Sequence, residues 1–219
     1  MPAVLQEHLP VRRGGYRQRM HPKVIFFDLG GVVCRFHRER RLAALGEACG
    51  VTPEQVESEL YASGLISRWD LGLDSSSEIH RTIQKELGFP GNIRALQEIW
   101  CRAFDPDPEV LMLVDSVRPL RTALLTDNDP LLLDALPDLL PQVASRFDAL
   151  LFSCRLGSTK PEPTVFTQAV DIMSAAPGEA VFIDDRADNV AAARELGIAA
   201  IHFRDASALG ADLAALLPR

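Results

Sequence analysis

KVIFFDLGGVV, residues 23–33, is the stretch that decides the fold of this chain. Residues 24–27 form a continuous run of β-branched and aromatic side chains, which is typical of a strand buried on both faces of a parallel sheet. The run delivers Asp28 to its carboxyl end and breaks at Gly30-Gly31. Open α/β sheets bind ligands beyond the carboxyl ends of their strands, so a carboxylate here is a candidate for chemistry. Taken alone, the stretch fits equally well an Asp that only caps a turn.

Length, composition and charge limit the class of protein. The chain has 219 residues, 47% hydrophobic and 24% charged, which suits one core or one core with a smaller inserted layer. The formal net charge is −7, and residues 1–22 carry four Arg and one Glu, a net +3, so the remainder carries −10. A body this acidic repels nucleic acid and anionic membranes, and we expect neither as a partner.

The cysteines and the first residues bear on location. The four cysteines have neither zinc-ligand nor redox spacing, which favours inert, reduced thiols and a cytoplasmic protein. No apolar run reaches the length of a membrane span, and the first residues lack the apolar core of a signal peptide. Residues 1–22 are polar, basic and without period, so we expect a disordered or loosely docked tail. Met20 is a candidate natural start, because the fold signal begins three residues later.

Residues 36–105 carry a helical pattern without an intervening strand. Thr52 with Pro53 and Gln55 offers a helix cap, a first-turn proline and a capping-box partner, and Ser75 with Glu78 repeats the signature. Apolar residues recur at helical spacing in three stretches: Val56 and Leu60; Ile79, Ile83 and Leu87; Ile93, Leu96, Trp100 and Ala103. We therefore predict that residues 36–105 are an inserted helical cap domain, a small bundle over the site.

Short apolar strands alternate with helices through the rest of the chain. Strands are predicted at 122–126, 148–152, 180–184 and 199–203, and helices near 108–118, 129–140, 162–174, 186–196 and 206–217. This alternation is typical of a mostly parallel sheet covered by helices on both faces. The predicted fold class is α/β, a Rossmann-like, doubly wound sheet whose domain comprises residues 23–35 and 106–219.

Three of these later elements end in polar residues that phosphoryl transfer needs. Thr126 closes the second strand, and Asp184-Asp185 close the fourth. Lys160 opens a helix predicted to begin at Pro161. Because the carboxyl ends of parallel strands meet at one edge, we expect these groups to share a crevice with Asp28. Separately, Lys160 fits an exposed helix-start lysine, and the paired acids fit a helix cap, but the combination is far more specific.

The segments resemble the four motifs of the haloacid dehalogenase superfamily, most of whose members are magnesium-dependent phosphatases. The resemblance spans residues 23 to about 203 and is carried above all by SCRLGSTKPEPTVF, 153–166, and FIDDRADNVAAARELGI, 182–198. The DLGG opening is similar to the branch with glucose-1-phosphate phosphatases and the N-terminal phosphatase domain of soluble epoxide hydrolases. Residues 36–105 would then correspond to the family's cap.

The resemblance implies a role for each motif residue. It implies that Asp28 attacks phosphorus to form an aspartyl-phosphate, and that Lys160 and Thr126 stabilise the phosphoryl oxygens. It implies a Mg²⁺ cofactor with four neighbours: Asp28, the carbonyl of Gly30, Asp185, and Asp184 beside them. It also implies a supporting pair that orders the loop around the metal, Asp188 and Asn189, although both fit solvated first-turn residues equally well. The implied partner is a small phosphorylated molecule.

Two positions depart from the family pattern. Many members carry a second Asp two residues after the nucleophile as general acid and base, whereas this chain has Gly30, as does the glucose-1-phosphate branch. Losing such a group typically costs about 10²- to 10⁴-fold in rate. We therefore expect either a leaving group that needs little protonation or a proton donor from the cap. The other departure is Asp127, which must point away from the substrate or meet a cation or sugar hydroxyls, because a carboxylate repels phosphate.

Other polar residues have weaker interpretations. The cluster Arg35, His37, Arg38, Arg40 and Arg41 suits a solvated helix face better than recognition of a second anionic group. We expect His80 and His202 to be packed or surface histidines, and Trp69 indicates no ligand.

Three functions compete. Hydrolysis of a small phosphomonoester is favoured by Asp28, Thr126, Lys160 and Asp185 together. A metal-free 2-haloacid dehalogenase also lacks the second Asp, but the pair Asp184-Asp185 suits a cation. A non-catalytic regulatory or binding protein on the same scaffold is supported by Gly30 and Asp127.

Overall fold

The computed structural model of the chain describes residues 21–217. Its main sheet has five parallel strands in the order β5-β4-β1-β6-β7. In chain order these are β1 (Val24–Phe27), β4 (Arg121–Thr126), β5 (Ala149–Phe152), β6 (Ala180–Asp184) and β7 (Ala199–His202). Each starts and ends within one residue of its predicted position. The centre of the sheet is therefore β1, with β4 and β6 on either side.

Helices cover both faces of this sheet. They are α6 (Pro108–Ser116), α7 (Pro130–Leu139), α8 (Pro141–Ala144), α9 (Ser153–Leu156), α10 (Pro163–Ile172), α11 (Ala187–Glu195) and α12 (Ala206–Leu216), with a 3₁₀ turn at Pro177–Glu179. Successive side chains of β1 enter two separate apolar clusters. Phe26 packs with residues of α10 and α11, whereas Ile25 packs in the cluster that contains residues of α6, α7 and α12. The predicted α/β, doubly wound fold class is confirmed.

Five helices lie between β1 and α6, where the helical pattern predicted them. They are α1 (Arg38–Cys49), α2 (Pro53–Val56), which continues into a π-helical turn (Glu57–Ala62), α3 (Leu65–Asp70), α4 (Ser76–Leu87) and α5 (Ile93–Cys101). Both predicted capping boxes form: Gln55 N–H donates to Thr52 Oγ1 at 3.3 Å, and Glu78 N–H donates to Ser75 Oγ at 3.3 Å. We call α1–α5 the cap; its definition as a domain stays a prediction.

Two short strands at the base of the cap differ from the prediction. Strands β2 (Cys34–Phe36) and β3 (Phe104–Pro106) pair antiparallel, with Phe36 opposite Phe104. The predicted boundaries at 35/36 and 105/106 therefore fall inside strands. Three residues are too few to show a period, and the pairing joins residues far apart in sequence, so no local pattern marks it.

The first twenty residues lie outside the described part of the chain, together with Met20 as a candidate start and most of the predicted tail. Between residues 21 and 217, none of the helices has the length and apolar character needed to cross a membrane.

Replacing Phe26 by Ala should test the central strand. Phe26 is 1% exposed, and its ring fills the cluster between the sheet and α10. We expect Phe26→Ala to lower the free energy of unfolding by about 3–5 kcal/mol, measured by urea denaturation. Met112→Ala, at a side chain that is 62% exposed, should change it by no more than about 0.5 kcal/mol. Similar losses in both variants would contradict this account of the core.

Candidate active site

Polar groups at the ends of three neighbouring strands meet around one ammonium group. Asp28 follows β1, Thr126 ends β4 and Asp184 ends β6. Lys160 Nζ donates to Asp28 Oδ1 at 2.7 Å, to Asp184 Oδ2 at 2.8 Å and to the carbonyl oxygen of Leu125 at 3.0 Å. The convergence expected from parallel strand ends is therefore present, with the Lys160 side chain almost fully buried.

The backbone around Lys160 differs from the prediction. Helix α10 begins at Pro163, three residues after Lys160, and not at Pro161. Lys160 lies in the preceding turn, and its N–H donates to Asp127 Oδ1 at 3.0 Å. Asp127 thus lines the site and anchors the lysine loop, an arrangement that neither predicted role of this carboxylate included.

Burial and mutual repulsion perturb the acids. Burial raises the pKa of Asp28 to about 7, Lys160 opposes this, and Asp184 adds to it. Burial lowers the pKa of Lys160, but the carboxylates of Asp28 and Asp184 outweigh burial and raise the pKa above its usual range. Partial burial and then Asp184 raise the pKa of Asp185. One ammonium therefore faces more negative charge than it can neutralise.

The surplus charge is concentrated where a cation would fit. Asp28, Asp184 and Asp185 each offer a carboxylate oxygen, and these three oxygens lie within 4.8 Å of one another. A set of hard oxygen donors of this kind suits Mg²⁺. The neighbouring backbone is shaped around it: Gly31 has φ +92°, and a Cβ atom there would overlap Asp185. Gly30 lines the same cavity.

The two predicted supporting residues, Asp188 and Asn189, have different environments. Asn189 is buried, and its Nδ2 donates to Asp184 Oδ1 at 3.0 Å and Oδ2 at 3.1 Å. Asp188 is exposed and pairs with Arg186 at 2.7 Å instead of the acidic group. The first turn of α11 thus presents Asn189 to the site, whereas Asp188 lies on its outer face.

Thr126 is 2% exposed, and its Oγ1 accepts a hydrogen bond from Asn128 Nδ2 at 2.7 Å. Because the hydroxyl is used as an acceptor, its own hydrogen remains available for a ligand oxygen. Both residues line the cavity. Thr126 is therefore placed to donate, as its motif position implies.

A cavity of about 270 Å³ lies between these strand ends and the cap. Its core side includes Asp28, Thr126 and Lys160, and its cap side includes Arg41 and Asp70. The cap therefore supplies charged groups that the motif analysis did not single out.

The prediction that the basic cluster forms a solvated helix face is wrong for Arg41. Arg38 and Arg40 form exposed ion pairs, with Glu57 and Asp105 respectively. Arg41 is 3% exposed and lines the cavity, and its guanidinium lies 4.4 Å from the centre of the Trp100 ring. The fully buried Leu45, four residues later on the same helix face, was a signal that could have placed Arg41 inward.

Asp70, at the end of α3, is the other residue that the motifs missed. Burial raises its pKa to about 8, with Asp129 and Asp127 adding to the effect and Arg41 opposing it. These neighbours come from distant parts of the chain, so no local signal marked Asp70. The preceding residue, Trp69, is fully buried, and its ring centre lies 6.5 Å from that of Trp100.

The two histidines contact the backbone. His80 Nε2 lies 2.9 Å from the carbonyl oxygen of Gly91, and His202 Nε2 lies 2.8 Å from that of Asp185. Neither histidine belongs to the group of residues that could hold a metal ion, which consists of Asp28, Asp184 and Asp185.

The haloacid dehalogenase-like hydrolase family model matches residues 22–197. Bifunctional epoxide hydrolase 2 of Rattus norvegicus is 38% identical over 92 residues, which are 40% of this chain and 17% of that protein. The D-ribitol-5-phosphate phosphatase of Bacteroides thetaiotaomicron is 25% identical over 187 residues, 80% of this chain and 88% of the phosphatase. This chain thus spans less than a fifth of the epoxide hydrolase but most of the phosphatase.

A solved structure shares the fold. It is a HAD family enzyme from Bacteroides thetaiotaomicron in complex with magnesium and inorganic phosphate, with a TM-score of 0.73 and 24% identity. The similarity covers 86% of this chain and 98% of the other. At 24% identity this similarity is evidence for the fold alone.

Removal of the central ammonium should be costly and pH-dependent. Lys160→Met leaves Asp28 and Asp184 buried without their cation, so we expect a loss of about 3–5 kcal/mol in the free energy of unfolding at pH 8. A carboxyl group whose folded-state pKa is raised favours the folded state when protonated, and this contribution is lost as pH rises through that pKa. The loss should therefore be smaller at pH 5, in metal-free urea denaturation.

The same substitution at a surface ion pair is the matched control. Lys23 pairs with Glu179 at 2.8 Å, with side chains 57% and 34% exposed, so Lys23→Met should cost no more than about 1 kcal/mol. An equal loss for Lys160→Met at pH 5 and pH 8 would contradict the buried-charge account.

Proposed function

This chain belongs to the haloacid dehalogenase-like hydrolase family, and on that premise we propose that it is a magnesium-dependent hydrolase of small phosphomonoesters that forms an aspartyl-phosphate intermediate. The observation that carries the proposal is the buried contact of Asp28 and Asp184 with Lys160, beside Asp185, at the cavity floor. It combines a carboxylate nucleophile with oxygen donors for a cation and a fixed positive charge.

Asp28 is the proposed nucleophile. Asp28 Oδ1 accepts a hydrogen bond from Lys160 Nζ, and Asp28 lines the cavity. The carboxylate therefore has a fixed orientation towards a ligand. An oxygen of Asp28 bonds to phosphorus while the bond from phosphorus to the substrate oxygen breaks. Water then attacks the phosphorus, and the bond to Asp28 breaks to release phosphate. Thr126 and Lys160 donate hydrogen bonds to the phosphoryl oxygens during both steps.

The residues present fit a magnesium ion. Asp28, the backbone carbonyl of Gly30 and Asp185 would hold it, and the bound ion would neutralise charge on the phosphoryl oxygens. Asp184 is better suited to a place beside the ion. Its Oδ1 already accepts from Arg186 N–H at 2.8 Å and from Asn189, and its Oδ2 accepts from Lys160 and Asn189. Asp185 is exposed towards solvent, so its carboxylate is accessible to an incoming ion.

The cavity supports a small substrate. A volume of about 270 Å³, shared between the core and the cap, suits a phosphorylated metabolite of a few carbons. The similarity over most of its length to a phosphatase acting on D-ribitol 5-phosphate favours a hydroxylated leaving group. Asp70 and Arg41 on the cap side offer polar contacts for such groups.

Two features of the site favour the phosphatase over the two competing functions. A metal-free 2-haloacid dehalogenase has no use for three carboxylate oxygens gathered within 4.8 Å. A regulatory scaffold has no need for a buried nucleophile held by Lys160. Both remain outcomes of the experiment below.

Asp28→Asn should abolish turnover. Release of inorganic phosphate from a panel of alkyl, aryl and sugar phosphates is measured with and without Mg²⁺. We expect magnesium-dependent release by the wild type and a loss of at least about 10³-fold in kcat for the variant, because no carboxylate remains to attack. Asp171→Asn, an exposed residue of α10, is the matched control and should keep wild-type activity. Metal-independent activity on 2-haloacids, or silence across the panel with Mg²⁺ still bound, would overturn the proposed function.

Magnesium binding has a readout independent of activity. Mg²⁺ at about 100 times its Kd should stabilise the wild type by about 2.7 kcal/mol, seen as an increase in Tm that EDTA reverses. Asp185→Asn should lose this increase, because one carboxylate ligand is gone. Without metal the variant should be at least as stable as the wild type, because repulsion with Asp184 is relieved. An unchanged magnesium-induced increase in Asp185→Asn would contradict the assigned ligand.

A further inference from the structure

The position of Gly30 leaves a gap in the proposed mechanism. Departure of an alcohol from phosphorus needs a proton, and Gly30 has no side chain to supply one. A Cβ atom at this position would lie 3.5 Å from Phe36 Cβ and 3.6 Å from Phe104 Cε1. The rings of Phe36 and Phe104 pack with their planes tilted and their centres 5.0 Å apart, so apolar surface borders the place of the missing acid. The proton must therefore come from another wall of the cavity.

Asp70 is a carboxyl group on the cap wall of this cavity. It lines the same cavity as Asp28, and among residues 21–217 its carboxylate makes no hydrogen bond. Its backbone, in contrast, is held against the core, because Ser153 Oγ donates to the Asp70 carbonyl oxygen at 2.6 Å. Two residues on, a Cβ atom at Gly72, which has φ +71°, would overlap the carbonyl of Cys154. The side chain is thus free to act while its backbone is fixed.

The surroundings of Asp70 favour its protonated form. Four charged or titratable groups act on it from the elements packed around it, namely Arg41, Asp127, Asp129 and Cys154, and Tyr61 lines the same cavity. Burial together with Asp129 and Asp127 raises the pKa of Asp70 to about 8, against the effect of Arg41. Burial raises the pKa of the Cys154 thiol to about 12, so that group stays neutral. These surroundings favour the protonated form of Asp70 near neutral pH, where a general acid and base must give and regain a proton.

We propose that Asp70 of the cap is the general acid and base of this enzyme, in place of the side chain that Gly30 lacks. The inference rests on the proposed phosphatase function. When the bond from phosphorus to the leaving oxygen breaks, that oxygen keeps the electron pair and takes the proton of Asp70, directly or through one water molecule. The Asp70 carboxylate then takes a proton from the water that attacks the phospho-aspartate. Phosphate leaves, and Asp70 is again protonated.

The leaving group provides the decisive experiment. p-Nitrophenolate departs without a proton, whereas an alkoxide does not, and kcat/KM reports only the steps up to departure. For Asp70→Asn we expect kcat/KM to fall about 10²- to 10⁴-fold on an alkyl phosphate and less than about 10-fold on p-nitrophenyl phosphate. Hydrolysis of the intermediate should also slow, so the variant should release a burst of p-nitrophenol equal to the enzyme present.

Two further measurements separate chemistry from folding. The wild-type kcat/KM on the alkyl phosphate should decline as pH rises through about 8, because Asp70 loses its proton, and the Asn variant should lack this decline. Asp70→Glu, which keeps a titrating carboxyl group, should recover part of the alkyl activity. Asp171→Asn again serves as the control with unchanged kinetics.

The outcomes are distinct. Equal losses on both substrates, or no loss on the alkyl phosphate, would overturn the role of Asp70 and leave the phosphatase intact. A wild type that is inactive on both substrates would overturn the proposed function and this inference with it.

Discussion

The ammonium group of Lys160 lies between the carboxylates of Asp28 and Asp184, and the site depends on this contact. The two acids end neighbouring strands, and the same ammonium also bonds the carbonyl of Leu125 on the strand at the other side of β1. One side chain from a loop thus connects the ends of three strands. Taking these charges out of water is costly, and their attraction compensates only while all of them are present. The strand order β4-β1-β6 is therefore a condition of the chemistry as well as of the fold.

The charges around the cavity explain why this arrangement requires a further cation. Acidic residues outnumber basic ones on its walls: Asp28, Asp70, Asp127, Asp129 and Asp185 against Arg41, Lys160 and Arg186. Such a cavity repels a phosphate dianion unless positive charge is added or some acids are protonated. Both conditions can hold here, because Asp28 and Asp185 offer oxygen donors to a cation and burial raises the pKa of Asp70. The apparent conflict between an acidic site and an anionic substrate is thereby removed.

The parts of the structure that were predictable from sequence are those that local patterns encode. The alternation of apolar runs and helical periods was sufficient for the sheet and its helices, and strand-end geometry was sufficient to bring Asp28, Lys160 and Asp184 together. The pairing of β2 with β3 was missed because it joins short segments some seventy residues apart. Asp70 was missed for the same reason, since only the folded chain brings Asp127 and Asp129 near it. The burial of Arg41 was not predicted. Its charged neighbours favoured a solvated helix face, and this outweighed the helical spacing from Arg41 to Leu45.

The antiparallel pair β2 and β3 brings the entry and exit of the cap side by side, with Phe36 opposite Phe104. The chain therefore enters and leaves the cap through two adjacent strands. Because both connections lie in this separate two-stranded sheet, the chain leaves and rejoins the core without interrupting the order of the main sheet. Several hydrogen bonds link the cap to the core, among them those from Trp100 Nε1 to Asp129 and from Ser153 Oγ to the carbonyl of Asp70, and both parts share one apolar cluster. A different cap on this core would therefore have to match that shared apolar surface as well as the two connecting strands.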